Sequence, residues 1–549
     1  MRSAAWFIPL AAFALAGQSY PPGPQVQVFT SDVDGTAQPY ALYVPRNVDA
    51  SRKYPLVVSL HSEGSNHRLD LRRVFGRGNL FRQTDAEAAN GPFPPLPNVE
   101  YFVVSPLARG SMGYQGIAEK DVYDVLAQVK RRFPIDEDRV YLTGASVGGG
   151  GALWLSLTRP DLWAAVAVVS PISLPGTEEL APNALDLPVR LFQGELDPLV
   201  SAESTRTWES RLQQGGAKVE YTEYPLARHN VWDYAYRGAS IFAWFARFKR
   251  ERFPARVRFA TRSHQYDSAY WVQLDGLTPG SMASVDARFT AFNRIEVLTS
   301  GLDGFTLRAA GHPQYDAGRP VVVVIDGEEL KAGPRAALSF AKTEKGWVAA
   351  RYFRSPLTKG PGQEGPIRQA LSRKHLYVYG TADSPDEKEL ARRRTQAERA
   401  ANWAAPPLPL LLTLRALPDG EVTDEDLAGA DLVLFGTRQT NSLIARYGGR
   451  MPLELNPSAA DYGLVEIAPA GDRYILVSSG LPWWAGPAQA AKPGAPAPPA
   501  YKALLELGDY VVFRRSLATV VAAGFFDRNW KVPADEAAKL AASGVVQIR

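Results

Sequence analysis

The 549-residue chain has no cysteine. This absence excludes disulfides, a thiol nucleophile and cysteine-based zinc sites. Histidine is also scarce, and no two histidines have the i, i+4 spacing of a helical metal site. The sequence therefore predicts neither a metal nor a cofactor. The six histidines are His61, His67, His229, His264, His312 and His375.

An excess of charge of one sign is missing as well. Sixty-one Lys and Arg residues face 57 Asp and Glu residues, which leaves a formal net charge of +4. No dense Lys/Arg stripe interleaved with aromatic residues is present. Nucleic acid is therefore not an expected partner.

Long apolar runs are absent except at the N-terminus. Residues 4–16 are almost wholly apolar, follow Arg2, and end in the small-residue pattern Ala14-Leu15-Ala16. The run is shorter than the ~20 residues that span a bilayer. We interpret residues 1–17 as a signal peptide and expect a secreted or periplasmic protein with no integral membrane segment after cleavage. A buried N-terminal helix is the alternative.

Residues 25–253 alternate between apolar runs and amphipathic stretches. The stretch 118–132 has apolar residues at the spacing of one helical face, and another helix is predicted to begin at Val147. Alternating strands and helices predict an α/β fold, a three-layer sandwich with a mostly parallel sheet. The predicted strands are 40–44, 56–60, 102–104, 140–143, 165–169, 189–192 and 219–224.

The pattern of apolar and polar residues changes after Pro254. Residues 254–354 read as short strands with Asp-Gly turns, which predicts a β-sandwich accessory domain. Strands and helices alternate again over residues 355–549, which predicts a C-terminal α/β accessory region with strands at 376–380, 432–435 and 474–477 and a helix over 383–402. A Pro/Ala-rich stretch, 486–500, interrupts this region and predicts a loop.

Residues Gly144-Ala145-Ser146-Val147-Gly148 match the pattern G-x-S-x-G. Residues 139–143 (RVYLT) before it read as a strand and residues 148–158 as a helix, which is the context of a nucleophile elbow. Glycines flank the serine because a Cβ at either place would collide with neighbouring backbone. Ser146 is therefore the candidate nucleophile.

A serine hydroxyl needs a base to take its proton. In the fold predicted here, the acid and then the histidine follow the serine along the chain, each after a later strand. Asp197 lies just past the predicted strand 189–192, and His229 lies just past 219–224. We predict that His229 is the general base and that Asp197 orients it, with Glu195 as the nearby rival.

Two further groups of site residues follow from these positions. The oxyanion donors are predicted to be the backbone N–H of Val147 and that of Glu63 in the loop after the strand 56–60, with the N–H of Ser62 as the alternative to Glu63. Four side chains are candidate walls of the substrate pocket, with ordinary core or loop roles as the alternative. They are Ser62, Tyr114, Trp154 and Trp232.

Five segments resemble secreted bacterial esterases of the α/β-hydrolase superfamily, of the feruloyl-esterase and polyhydroxybutyrate-depolymerase-like group. That group is related to the catalytic domain of the prolyl oligopeptidase family. Ser62 departs from the His-Gly usual in the group, which leaves the second oxyanion donor open. The segments are 43–45 (YVP), 54–61 (YPLVVSLH), 136–144 (DEDRVYLTG), 159–165 (RPDLWAA) and 229–233 (HNVWD).

The resemblance implies a secreted serine hydrolase that cleaves a carboxylic ester, in a small molecule or a polymer, through an acyl-enzyme. A serine peptidase of prolyl-oligopeptidase type with the same three residues is the first alternative. A non-catalytic envelope or surface-binding protein with a relic hydrolase domain is the second. Loss of a triad member would favour that second alternative, and all three residues are present.

Overall fold

A computed structural model describes residues 21–79, 83–406, 408–486 and 499–549. The predicted signal peptide, residues 1–17, and most of the predicted loop, residues 487–498, lie outside the described residues. In the described ranges, every helix is too short or too polar to cross a bilayer.

Eight strands form the first sheet of the described chain, in the order β1-β2-β4-β3-β5-β6-β7-β8. The pairings from β4 and β3 through to β8 are parallel, and β1 and β2 pair antiparallel at one edge. The strands are β1 Gly23–Thr30, β2 Ala37–Val44, β3 Tyr54–Leu60, β4 Phe102–Pro106, β5 Ile135–Ala145, β6 Ala165–Val169, β7 Val189–Gly194 and β8 Val219–Tyr224.

Helices cover both faces of this sheet, and its central strands are therefore buried. Every residue of β3 and β6 is buried, as expected of parallel strands between two helical layers. The helices are α1 His67–Val74, α2 Asp85–Asn90, α3 Ile117–Arg132, α4 Val147–Thr158, α5 Ala202–Gln214, α6 Trp232–Ala235 and α7 Ser240–Phe245. This arrangement confirms the predicted α/β-hydrolase fold class.

Two further sheets form the β-sandwich, each of five strands within the described residues. Their orders are β10-β11-β14-β17-β18 and β16-β15-β13-β12-β9. The strands are β9 Arg256–Thr261, β10 Ser268–Ala269, β11 Val272–Leu277, β12 Ala283–Ala291, β13 Arg294–Ser300, β14 Leu302–Leu307, β15 Val321–Ile325, β16 Glu328–Ala332, β17 Leu338–Thr343 and β18 Gly346–Val348.

The remaining chain forms a mixed sheet, seven-stranded in its described part, in the order β20-β19-β21-β24-β23-β25-β26, and a small pair β22-β27. The strands are β19 His375–Tyr379, β20 Ala416–Pro418, β21 Asp431–Phe435, β22 Leu453–Leu455, β23 Tyr462–Ala470, β24 Arg473–Gly480, β25 Tyr510–Arg514, β26 Val520–Gly524 and β27 Val546–Ile548. The helices are α8 Ile367–Leu371, α9 Glu387–Ala401, α10 Asp424–Gly429, α11 Ser442–Tyr447 and α12 Ala534–Ser543.

Buried contacts join the three regions. One hydrophobic cluster runs without a break from the first sheet into the sandwich. Asn183 donates to the carbonyls of Leu157 and Ala260 and accepts from the Ala260 N–H. The buried Arg109 pairs with Asp34 at 2.9 Å and donates to the carbonyl of Leu411 in the third region. The predicted domain boundaries stay a prediction, but buried contacts link the first region to each of the other two.

Candidate active site

The nucleophile elbow lies at the carboxyl end of the central strand β5. Ser146 follows that strand with φ 58° and ψ −119°, a conformation that costs energy for a residue with a side chain, and α4 begins at Val147. A Cβ on Gly144 would lie 2.2 Å from the carbonyl oxygen of Gly148, and one on Gly148 would lie 2.1 Å from that of Leu60. Glycine at both positions is therefore required by close backbone approach.

The candidate acid and base are in direct contact. Asp197 follows β7 and His229 follows β8, and His229 Nδ1 lies 2.7 Å from Asp197 Oδ2. The Asp197 side chain is fully buried, whereas that of His229 is 15% exposed. A histidine fixed through Nδ1 presents its Nε2 as the proton acceptor.

The charge on Asp197 is stabilised by its loop. Burial alone would raise the pKa of Asp197, but the N–H groups of Val200 and Leu199 and the ring of His229 hold that pKa below its ordinary value. Leu199 and Val200 donate to Oδ1 at 2.9 and 3.0 Å, which leaves Oδ2 to the histidine. The rival Glu195 instead accepts from the N–H of Leu226.

Gln193, at the end of β7, is a positioning residue that sequence reasoning missed. Its amide donates to Asp197 Oδ2 at 3.1 Å and to the Val200 carbonyl at 2.9 Å, and its own oxygen accepts from the Thr205 hydroxyl at 2.8 Å. These bonds help to fix the carboxylate oxygen that His229 also contacts. Only the fold brings the groups together, so no spacing in the sequence indicates the role.

Topology places Ser146 beside this pair. Strands β5, β6, β7 and β8 are parallel neighbours, so the loops that carry Ser146, Asp197 and His229 leave the same edge of the sheet. In the part of the chain that the structure describes, no hydrogen bond joins the Ser146 hydroxyl to His229. Catalytic hydrogen bonds are often long in enzymes without bound substrate and tighten when it binds.

Both predicted oxyanion donors have free N–H groups. Val147 is the first residue of α4, and Glu63 lies in the turn that follows β3. Over the described ranges, neither N–H finds an acceptor. The two loops lie close together, because a Cβ on Gly148 would also lie 2.7 Å from the carbonyl oxygen of His61.

Arg73 links the oxyanion loop to the histidine loop, a connection that the sequence did not reveal. Its guanidinium lies 3.4 Å from the Ser62 hydroxyl and 4.7 Å from the centre of the Trp232 ring. Trp232 in turn meets the ring of His229 edge-on at 5.7 Å. Ser62 and Trp232, two of the predicted pocket residues, therefore surround the candidate site.

The other two predicted pocket residues, Tyr114 and Trp154, are hydrogen-bonded to different groups. The Tyr114 hydroxyl donates to the carbonyl of His61 at 2.9 Å, and the indole of Trp154 donates to Glu119 at 2.9 Å. Both rings line a cavity whose wall includes none of the three triad candidates. Trp154 stands about two turns along α4 from the elbow.

Comparison with known proteins agrees with this geometry. Residues 122–237 match a family described as "Putative esterase", and this segment contains all three triad candidates. No curated protein matches the chain. The match confirms the esterase-type resemblance for this segment, within an α/β-hydrolase fold that the strand order itself defines.

Solved structures with some similarity are also hydrolases. A thermostable esterase is 26% identical (TM-score 0.34), and the match covers 41% of this chain and 63% of that one. A ferulic acid esterase is 16% identical (TM-score 0.33), with 42% and 99% covered. An S-formylglutathione hydrolase from Agrobacterium tumefaciens is 16% identical (TM-score 0.32), with 41% and 94% covered. All three TM-scores are below 0.5, so the site assignment depends on the geometry above.

Proposed function

We propose that the protein is a secreted or periplasmic serine hydrolase that cleaves carboxylic esters through an acyl-enzyme on Ser146. The observation that carries the proposal is the buried Asp197–His229 pair beside a strained serine elbow on the same sheet edge. The esterase family match over residues 122–237 supports the choice of an ester as substrate. The apolar run at residues 4–16 is the basis for export.

The first half-reaction transfers the acyl group to the enzyme. His229 Nε2 takes the proton of Ser146 as its oxygen attacks the ester carbonyl, and Asp197 stabilises the resulting imidazolium. The N–H groups of Val147 and Glu63 receive the negative charge that develops on the carbonyl oxygen. The tetrahedral intermediate then collapses, the C–O bond breaks, and His229 gives its proton to the departing alkoxide.

The second half-reaction releases the acid. A water molecule gives a proton to His229 and attacks the acyl carbon of the ester on Ser146. Collapse of the second intermediate breaks the bond to the serine oxygen, which recovers its proton from His229. One ester and one water thus yield one alcohol and one carboxylic acid.

The test is turnover of p-nitrophenyl acetate by the wild type and by Ser146→Ala. Removal of the nucleophile should lower kcat by ~10⁴ to 10⁶ while the far-ultraviolet circular dichroism stays unchanged. Ser156→Ala, a buried serine on the same helix, is the matched control and should keep wild-type turnover. A Ser146→Ala protein that turns over within about tenfold of wild type would exclude the proposed nucleophile.

A further inference from the structure

The cavity lined by Tyr114 and Trp154, which we call the junction cavity, lies where the three regions of the chain meet. It encloses about 300 Å³, and its wall contains aromatic side chains from all three regions. A volume of this size suits a small organic molecule. The aromatic residues are Tyr114 and Trp154 from the first region, Tyr266 from the second, and Trp403 and Tyr501 from the third.

The junction cavity is separate from the candidate active site. Ser146, Asp197 and His229 are not among its lining residues. Trp154 lies eight residues beyond Ser146 on α4, which corresponds to about 12 Å along the helix axis. A ligand beside Trp154 would therefore be remote from the nucleophile.

The aromatic residues of the wall are largely packed on one another. Trp403 stacks on Tyr501 with ring centres 4.0 Å apart and planes 9° from parallel. Trp154 meets Tyr266 edge-on, with centres 5.8 Å apart and planes at 88°. Planar aromatic ligands gain from such offset and edge-to-face contacts.

One cation in the wall has no direct partner. Within the described residues the partly buried Arg368 forms no ion pair and no side-chain hydrogen bond, and its positive charge lowers the pKa of Glu119 from a distance. Lys502 adds a second positive charge and Glu506 one negative charge to the wall. The nearby acid Glu119 is already bonded to Trp154 and Tyr266. A free guanidinium presents paired N–H donors that match a carboxylate.

We infer that the junction cavity binds a small aromatic carboxylate, whose ring lies against the Trp403, Tyr501 and Trp154 side chains and whose carboxylate pairs with Arg368. The inference goes beyond the proposed ester hydrolysis and does not depend on it. It assigns a ligand site to the contact between the accessory regions and the hydrolase sheet.

The test is isothermal titration of the full chain with trans-cinnamate, which has a planar ring and a carboxylate. Cinnamamide has the same ring without the charge and should bind at least about tenfold more weakly, because a charge-assisted hydrogen bond is lost. Arg368→Gln should weaken cinnamate binding by a similar factor, about tenfold or more. Arg308→Gln is the matched control, because Arg308 is an exposed sandwich arginine outside the cavity wall.

A second arm separates this site from the active site. Protein labelled on Ser146 with a fluorophosphonate should bind cinnamate with the same affinity as unlabelled protein. Loss of binding after labelling would place the ligand in the active site and overturn the inference. Equal affinity for cinnamate and cinnamamide, or an Arg368→Gln variant that melts like wild type and binds cinnamate equally well, would also overturn it.

Discussion

The buried acid Glu119, at the interface between the hydrolase sheet and the sandwich, should make the free energy of unfolding depend on pH. This carboxyl group is only 1% exposed; it accepts from the Trp154 indole at 2.9 Å and from the Tyr266 hydroxyl at 2.8 and 2.9 Å. Burial raises the pKa of Glu119 from 4.5 to about 7, and the two hydrogen bonds only partly oppose this effect.

The sign of the pH dependence follows from that raised pKa. Below pH 4.5 Glu119 is protonated in both folded and unfolded chains, so its contribution to stability is fully present. Between pH 4.5 and about 7 the unfolded chain releases the proton and the folded chain keeps it, so the free energy of unfolding falls as pH rises. Each pKa unit corresponds to 1.36 kcal/mol, so the total loss by pH 7.5 is ~3 kcal/mol.

Glu119→Gln should remove this loss, because the amide keeps the shape and an acceptor oxygen but does not titrate. Urea unfolding at pH 4.5 and pH 7.5 gives the decrease in free energy for each protein. The decrease should be smaller in Glu119→Gln than in wild type by ~3 kcal/mol. Other buried acids, such as Glu364 with a pKa raised by burial to about 7, are common to both proteins and cancel in the comparison.

Glu137→Gln alters a side chain that is 45% exposed and serves as the matched control. It should retain the wild-type decrease. If wild type and Glu119→Gln lose the same free energy between the two pH values, the buried acid is not protonated in the folded state and the reasoning fails.

Three further substitutions test the site and its support. Asp197→Asn should lower kcat for p-nitrophenyl acetate by ~10³ to 10⁴ with little change in KM, because it disturbs the orientation of His229 rather than the pocket; a loss below about tenfold would count against the triad assignment. Gly148→Ala places a Cβ 2.1 Å from the Leu60 carbonyl oxygen and should abolish activity or soluble expression, whereas Gly420→Ala, with open space around its Cβ, should do neither. Arg109→Met leaves the buried Asp34 and Asp121 without their ion-pair partner and should lower the free energy of unfolding in urea by ~3 to 5 kcal/mol. The control Arg139→Met breaks a more exposed ion pair and should lower it by less than ~1 kcal/mol.

The central strands could be predicted from the sequence because each has a clear apolar run between turns. The strands 165–169 and 219–224 have the same bounds in prediction and structure. By contrast, β5 begins at Ile135, five residues earlier than the predicted strand 140–143, because the charged residues 136–139 interrupt the apolar pattern. The edge strand β1 was missed, and its pairing with β2 depends on a contact that local pattern does not encode.

The candidate site was predictable where chain order carries the information. Ser146, Asp197 and His229 each follow a strand, and parallel strands bring their ends together. Gln193 and Arg73 were missed because their contacts exist only after folding. Tyr114 and Trp154 stay candidate pocket residues, and their rings line a cavity whose wall includes none of the three triad candidates.

The central claim is that Ser146 is the nucleophile activated by His229 and Asp197. Its most direct test is a fluorophosphonate reaction with the full chain, followed by mass-spectrometric mapping of the modified residue. The account predicts one phosphonyl group on Ser146, formed in step with loss of esterase activity, and no labelling of Ser146→Ala. Modification of a different serine, or full activity in protein that is labelled on Ser146, would contradict it.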